Sequence, residues 1–142
     1  MGQARNDTKA HAMSRNCILC PGQGAQVVGM GRDFADAAPA ARQVFEQAGQ
    51  VLGFDLAALC FDGPEDRLNQ TDISQPAILT VSIMAFEVLK TIVAPLCYSA
   101  TAGLSLGEYT ALVAAKAVTF ADALKLVRLR GQAMQAAAEL AP

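Results

Sequence analysis

The chain has 142 residues, of which 53% are hydrophobic and 17% charged, and its formal net charge at pH 7 is -2. That length fits one domain of ordinary size and not two. The small charge gives no electrostatic footprint for nucleic acid, and no apolar run reaches the ~18 residues of a membrane span without a polar interruption.

The first sixteen residues, MGQARNDTKAHAMSRN, are polar and aperiodic and lack the apolar run of a secretory signal. Residues 1–16 are therefore expected to be a disordered leader, with one domain segment over 17–142. Asn6 stands where myristoylation after Met1-Gly2 needs Ser or Thr. Arg5, Lys9, Arg15 and Ser14 leave a transit peptide as the alternative. The expected location is cytoplasmic, with mitochondrion or plastid as the alternative if the leader is such a peptide.

Cys17 to Cys20 is a short apolar run that stops at PGQGAQ, where Pro21, Gly22 and Gly24 force a tight loop. It is the first strand candidate. Cys17 and Cys20 make a C-x-x-C, but no second pair exists, and Cys60 and Cys97 stand alone. The spacing predicts no metal site and four ordinary buried thiols.

From Pro39 to Leu52 apolar residues recur at helical spacing, with Pro39 suited to the first turn and Gly53 to the stop. The polar connection DGPEDRLNQTD has room for one short helix. Ser74 reads as an N-cap ahead of QPAILTVSIMAFEVLKTIV, with Pro76 in the first turn, where a helix does not need its N-H. This helix is apolar around most of its circumference, which predicts an interior position.

After Pro95, LCYSATAG is the second strand candidate. It leads directly into Gly103-Leu104-Ser105-Leu106-Gly107, which fits Gly-x-Ser-x-Gly, a strand-to-helix turn that presents a nucleophilic serine. Three fixed positions recur by chance in about one chain in twenty of this length, so the flanks carry the weight. A strand precedes the motif, and Leu106, Tyr109, Val113 and Ala117 follow at helical spacing. Thr119 and Asp122 form a shortened capping box for a last helix running to about Leu140.

On that last helix Lys125, Arg128, Gln132, Gln135 and Glu139 share one polar stripe, and Leu126, Leu129, Ala133, Ala137, Val127 and Met134 cover the rest. Arg130 projects roughly 170° from the polar stripe, in the middle of the apolar face. An inward guanidinium needs an anion, which is either a ligand or an internal carboxylate.

A serine nucleophile needs a base, oxyanion donors and a site for the acyl group. Ser105 is the candidate nucleophile. The N-H of Leu106 and a second N-H from Gln23 in the glycine-rich loop are the candidate oxyanion donors. No base is evident, because the single histidine, His11, lies in the leader.

The segments PGQGAQVVGMGRDF, TDISQPAILTVSIMAFEVL and GLSLGEYTALVAAKAVTFADALKLVRLRGQAM, in this order, resemble the malonyl-CoA:acyl carrier protein transacylases. Polyketide synthase acyltransferase domains share the pattern. The resemblance covers about Cys17 to Leu140. It implies an α/β fold: part of a hydrolase-like large subdomain, helix-rich and incomplete, with the family's ferredoxin-like subdomain and later part absent.

The same resemblance implies transfer of malonyl from malonyl-CoA, through a Ser105 ester, to the phosphopantetheine thiol of acyl carrier protein in fatty acid synthesis. No permanently bound cofactor is expected, and no nucleic acid or membrane partner. Arg130 would pair with the malonyl carboxylate, Gln23 and Leu106 would hold the oxyanion, and Gln75 matches a glutamine lining the site. The family's base histidine comes late in its sequence, so this chain is expected to be a fragment lacking it, inactive when isolated. Two departures stand out: Leu104 replaces the histidine usual before the nucleophile, and Cys20 replaces a phenylalanine. Other readings are a non-catalytic relic that binds acyl carrier protein or a partner, and a serine esterase.

Overall fold

The computed structural model describes residues 16–140, so the leader up to residue 15, with His11, lies outside the described residues. In chain order these residues form β1 (Cys17–Cys20), α1 (Arg32–Ala37), α2 (Pro39–Leu52), α3 (Leu56–Asp62), α4 (Glu65–Leu68), α5 (Thr71–Ile92), β2 (Ala100–Gly103), α6 (Leu106–Ala114) and α7 (Phe120–Leu140). The arrangement is a helix-rich α/β fold with a small parallel sheet. β1 and β2 pair in parallel, with Cys17 opposite Ala100 and Cys20 opposite Gly103. A parallel pair needs a long crossover to bring the chain back to its starting end, and α1 to α5 supply it.

Asn16, which the sequence places in the leader, is tied to this sheet. Its carbonyl accepts from the Ser99 N-H at 2.9 Å, and its side-chain amide donates to the Cys97 carbonyl at 3.2 Å. The second strand is shorter than its apolar run predicts: only residues 100–103 pair.

The core is built around α5, which packs against α2, α6 and α7. Ile73, Ala77, Ile78, Leu79, Ile83, Met84 and Val88 of this helix are buried. α5 is 22 residues long and, by length and composition, apolar enough to cross a membrane, which the sequence reading did not anticipate. Within the protein 67% of that apolar window is buried, as in the core helix of a globular domain.

The start of α5 differs from the expectation. Its N-cap is Gln70, without a side-chain cap bond, and Ser74 lies a turn inside the helix, fully buried. Pro76 is therefore an interior residue, and it has no N-H to offer the Asp72 carbonyl one turn back. The extra turn is closed by the Ile73 and Ser74 N-H groups on the Gln70 carbonyl, at 2.9 and 2.7 Å, and lies against α7, where a Cβ on Gly131 would stand 2.6 Å from the Thr71 carbonyl oxygen.

α2 follows the sequence closely, from Pro39 in the first turn to Gly53 in the left-handed conformation. α6 stops at Ala114, and Lys116 follows at φ 61°, so Ala117 lies beyond the helix that its spacing suggested. At the start of α7 the Thr119 hydroxyl accepts from the Asp122 N-H at 3.1 Å and donates to the Asp122 carboxylate at 2.7 Å. α1 and α3 have too few residues to show a period, and the sequence did not signal them.

Two further expectations are corrected. Cys60 is buried, but Cys17 is exposed and Cys20 half-buried on a strand open to solvent on alternate residues, and Cys97 is exposed in the connection before β2. On α7 the buried residues are Ala123, Leu124, Val127 and Gly131, while Leu126 and Leu129 are exposed. Arg130 lies between the buried face and that exposed apolar stripe, rather than in the middle of a covered one.

Candidate active site

The chain leaves β2 at Gly103, turns at Ser105 and enters α6 at Leu106. Ser105 has φ 56° and ψ -111°, a conformation that non-glycine residues avoid and that persists only where surrounding structure enforces it. The enforcement comes from three backbones in contact. A Cβ on Gly103 would lie 2.2 Å from the Gly107 carbonyl, and a Cβ on Gly107 would lie 2.4 Å from the Cys20 carbonyl oxygen. Both glycines of the motif are thus required by the meeting of β1, β2 and α6.

The turn is closed by Gly107 N-H donating to the Leu104 carbonyl at 3.0 Å and by Glu108 N-H donating to the Ser105 carbonyl at 3.3 Å. Leu106 is fully buried and anchors the helix start, whereas Leu104 is 81% exposed. Leucine before the serine therefore disturbs no packing here. As the first residue of α6, Leu106 carries one of the amides that a helix leaves without an intrahelical acceptor.

Ser105 is exposed, and its Oγ accepts a hydrogen bond from Arg130 Nη2 at 2.8 Å. The other prong of the fork, Nη1, donates to Gln75 Oε1 at 2.8 Å. Gln75 is fully buried, and its Nε2 donates to the Met134 sulfur at 3.3 Å. The guanidinium also lies 5.9 Å from the Tyr109 ring centroid. The structure thus gathers Ser105, Arg130 and Gln75, with Leu106 adjoining, into one chain of polar contacts drawn from α5, the elbow and α7.

Among the described residues no carboxylate pairs with Arg130, so the internal ion pair that the sequence left open is not formed there. A guanidinium only donates and stays charged, so it cannot take the serine proton. Because Oγ is the acceptor from Arg130, the serine O-H is left to point elsewhere, as a nucleophile awaiting a base requires.

The loop carrying Gln23 reaches the same corner, since a Cβ on Gly22 would lie 3.2 Å from the Leu104 carbonyl oxygen. The loop is held by Gly24 N-H on Gln26 Oε1 at 2.9 Å and by Gln26 Nε2 on Asn69 Oδ1 at 2.9 Å. Gln23 itself is exposed and is not one of the residues bonded to Ser105, Arg130 or Gln75.

Two of the cysteines are poorly suited to act as nucleophiles. Burial, and then the neighbouring Cys17, push the Cys20 thiol up from its ordinary value, and burial alone pushes Cys60 up to about 12. Two further residues stand at the site, Met134 and Tyr109, and in the sequence each looks like part of an apolar helix face. The available signal was spacing: Met134 follows Arg130 by four residues, one turn along the same side of α7.

The acyl transferase domain family matches residues 18–141. The chain is 44% identical over 125 residues to the malonyl CoA-acyl carrier protein transacylase of Bacillus subtilis (strain 168), covering 88% of this chain and 39% of that protein. It is 44% identical over 128 residues to the human malonyl-CoA-acyl carrier protein transacylase, mitochondrial, covering 88% and 32%. Among solved structures, the acyl carrier protein S-malonyltransferase of Vibrio cholerae superposes with a TM-score of 0.82 at 47% identity, over 86% of this chain and 40% of that one. A malonyl-transacylase in complex with its type II PKS acyl-carrier protein superposes with a TM-score of 0.83 at 45% identity, over 87% and 40%. The chain thus spans at most about two fifths of the length of these relatives.

Proposed function

Because the chain belongs to the acyl transferase domain family, we propose that it is the nucleophile-bearing segment of a malonyl-CoA:acyl carrier protein transacylase that serves fatty acid synthesis. In this reading residues 17–142 form part of a hydrolase-like large subdomain. Ser105 Oγ attacks the thioester carbonyl of malonyl-CoA, its proton passes to a base outside the described residues, and coenzyme A leaves as the thiol. The phosphopantetheine thiol of acyl carrier protein then attacks the seryl ester, and Ser105 recovers its proton.

The amides of Leu106 and Gln23 hold the oxyanion of each tetrahedral intermediate. Such fixed donors stabilise charge that develops only on the way to the transition state. The observation that carries the reading is the Arg130 fork, one prong on Ser105 Oγ and the other on Gln75. A charged, two-pronged donor beside the nucleophile, unpaired with any described carboxylate, suits an acyl group ending in a carboxylate. A simple esterase has no use for it.

The test is peptide mass spectrometry of the full-length polypeptide after brief exposure to malonyl-CoA. A malonyl ester on the peptide carrying Ser105, absent in Ser105→Ala and passed to holo acyl carrier protein on its addition, is expected. An unmodified Ser105 peptide, or equal loading from acetyl-CoA, refutes the assignment.

A further inference from the structure

We propose that Met134 is a positioning residue: its sulfur fixes the amide of Gln75, the amide fixes Arg130, and the preference for a carboxylate-bearing acyl group depends on that chain. The inference rests on the reading of Arg130 as the carboxylate's partner.

A glutamine amide has two nearly isosteric orientations, and partner chemistry chooses between them. Arg130 Nη1 can only donate, so at 2.8 Å it must face Oε1 of Gln75. Nε2 then points to the thioether of Met134 at 3.3 Å, a group that can accept but not donate. The flipped amide would set two donors face to face and leave Oε1 against sulfur. Gln75 is fully buried, so water does not replace a lost partner cheaply.

The geometry of the helices makes this chain possible. Arg130 and Met134 stand one turn apart on α7, and Gln75 faces them from α5. The two helices approach closely at Gly131, where a Cβ would lie 2.6 Å from the Thr71 carbonyl oxygen. With Nη1 held by Gln75, Nη2 is aimed at Ser105 Oγ, the place where the acyl group arrives. A leucine at 134 would fill similar space and supply no acceptor.

The experiment measures kcat and KM of the full-length polypeptide with malonyl-CoA and with acetyl-CoA, holo acyl carrier protein being the acceptor. It compares Met134→Leu, Met134→Gln and Arg130→Ala. Met134→Leu should raise the KM for malonyl-CoA by about threefold to tenfold, the worth of one neutral hydrogen bond. It should change acetyl-CoA kinetics by a clearly smaller factor, because that acyl group has no carboxylate for Arg130 to hold, and should leave the melting temperature unchanged. Met134→Gln, which restores an acceptor oxygen on an unbranched side chain, should recover most of the loss.

An equal change for both donors, a loss that follows the melting temperature, or a Met134→Gln variant no better than Met134→Leu overturns the proposal. If Arg130→Ala shifts the malonyl-to-acetyl ratio while Met134→Leu does not, only the role of Met134 fails. If Arg130→Ala leaves the ratio unchanged, the carboxylate reading fails and takes this inference with it.

Discussion

Cys60 sits in α3 with no exposed surface, its carbonyl accepting from the Gly29 N-H at 2.8 Å, and burial pushes its thiol from 9.0 up to about 12. The sign of the linked stability change follows. Below pH 9 the thiol keeps its proton in both states, and the contribution of Cys60 to stability is constant. Between pH 9 and about 12 the unfolded chain loses the proton first, so stability falls as pH rises. Urea midpoints measured from pH 8 to 11 should drop more steeply for the wild type than for Cys60→Ala, the difference removing the contribution of other groups. Iodoacetamide at pH 8 should label Cys17 and leave Cys60 intact until the protein is unfolded. At this scale the sequence was most informative where backbone chemistry leaves little choice. The strand-to-helix turn at Ser105 was legible from Gly103 and Gly107 together with their flanks, because only glycines permit the three backbones to meet there. Cysteine exposure was not, since a four-residue strand says nothing about which side is covered.

The two long helices show what local signals convey and what they miss. Ser74 has the composition of an N-cap, but α5 begins a turn earlier, against α7, and the Ser74 hydroxyl is buried with no partner among the described residues. Removing a true cap costs about 1 kcal/mol. Removing an unsatisfied buried hydroxyl is neutral or favourable, and alanine is the better helix former. Ser74→Ala should therefore leave the denaturation midpoint unchanged or raise it, and a loss near 1 kcal/mol would restore the capping role. Gly131→Ala sets propensity against packing in the opposite sense. Alanine favours a helix over glycine by about 1 kcal/mol, yet the added Cβ falls 2.6 Å from the Thr71 carbonyl oxygen and 2.7 Å from Asp72 Cα. Backbone cannot step aside as a side chain can, so a net loss of about 1–3 kcal/mol is expected in urea unfolding. The same variant should weaken the contact between Gln75 and Arg130, which spans this crossing.

At the scale of the molecule, a 53% apolar composition predicted burial, and around α5 that prediction holds. It could not reveal which apolar residues stay uncovered, because a sequence lists no neighbours. Leu19 on β1 is 77% exposed and Leu129 on α7 is 64% exposed, with Leu104 at the elbow also open. Parallel sheets are ordinarily covered on both faces, whereas β1 and β2 form a two-stranded sheet, in a chain spanning about two fifths of its relatives. Exposed apolar side chains beside an open strand edge favour self-association. The 142-residue polypeptide, purified by itself, should sediment with an average mass that rises with concentration and should bind a hydrophobic dye. Leu19→Lys with Leu129→Lys should lower both without changing the far-ultraviolet circular dichroism, because neither side chain is part of the core cluster. A polypeptide that stays monomeric over the whole concentration range would mean that these residues are too scattered to act as one surface. Association that survives the double substitution would shift the cause to the strand edges left open among the described residues.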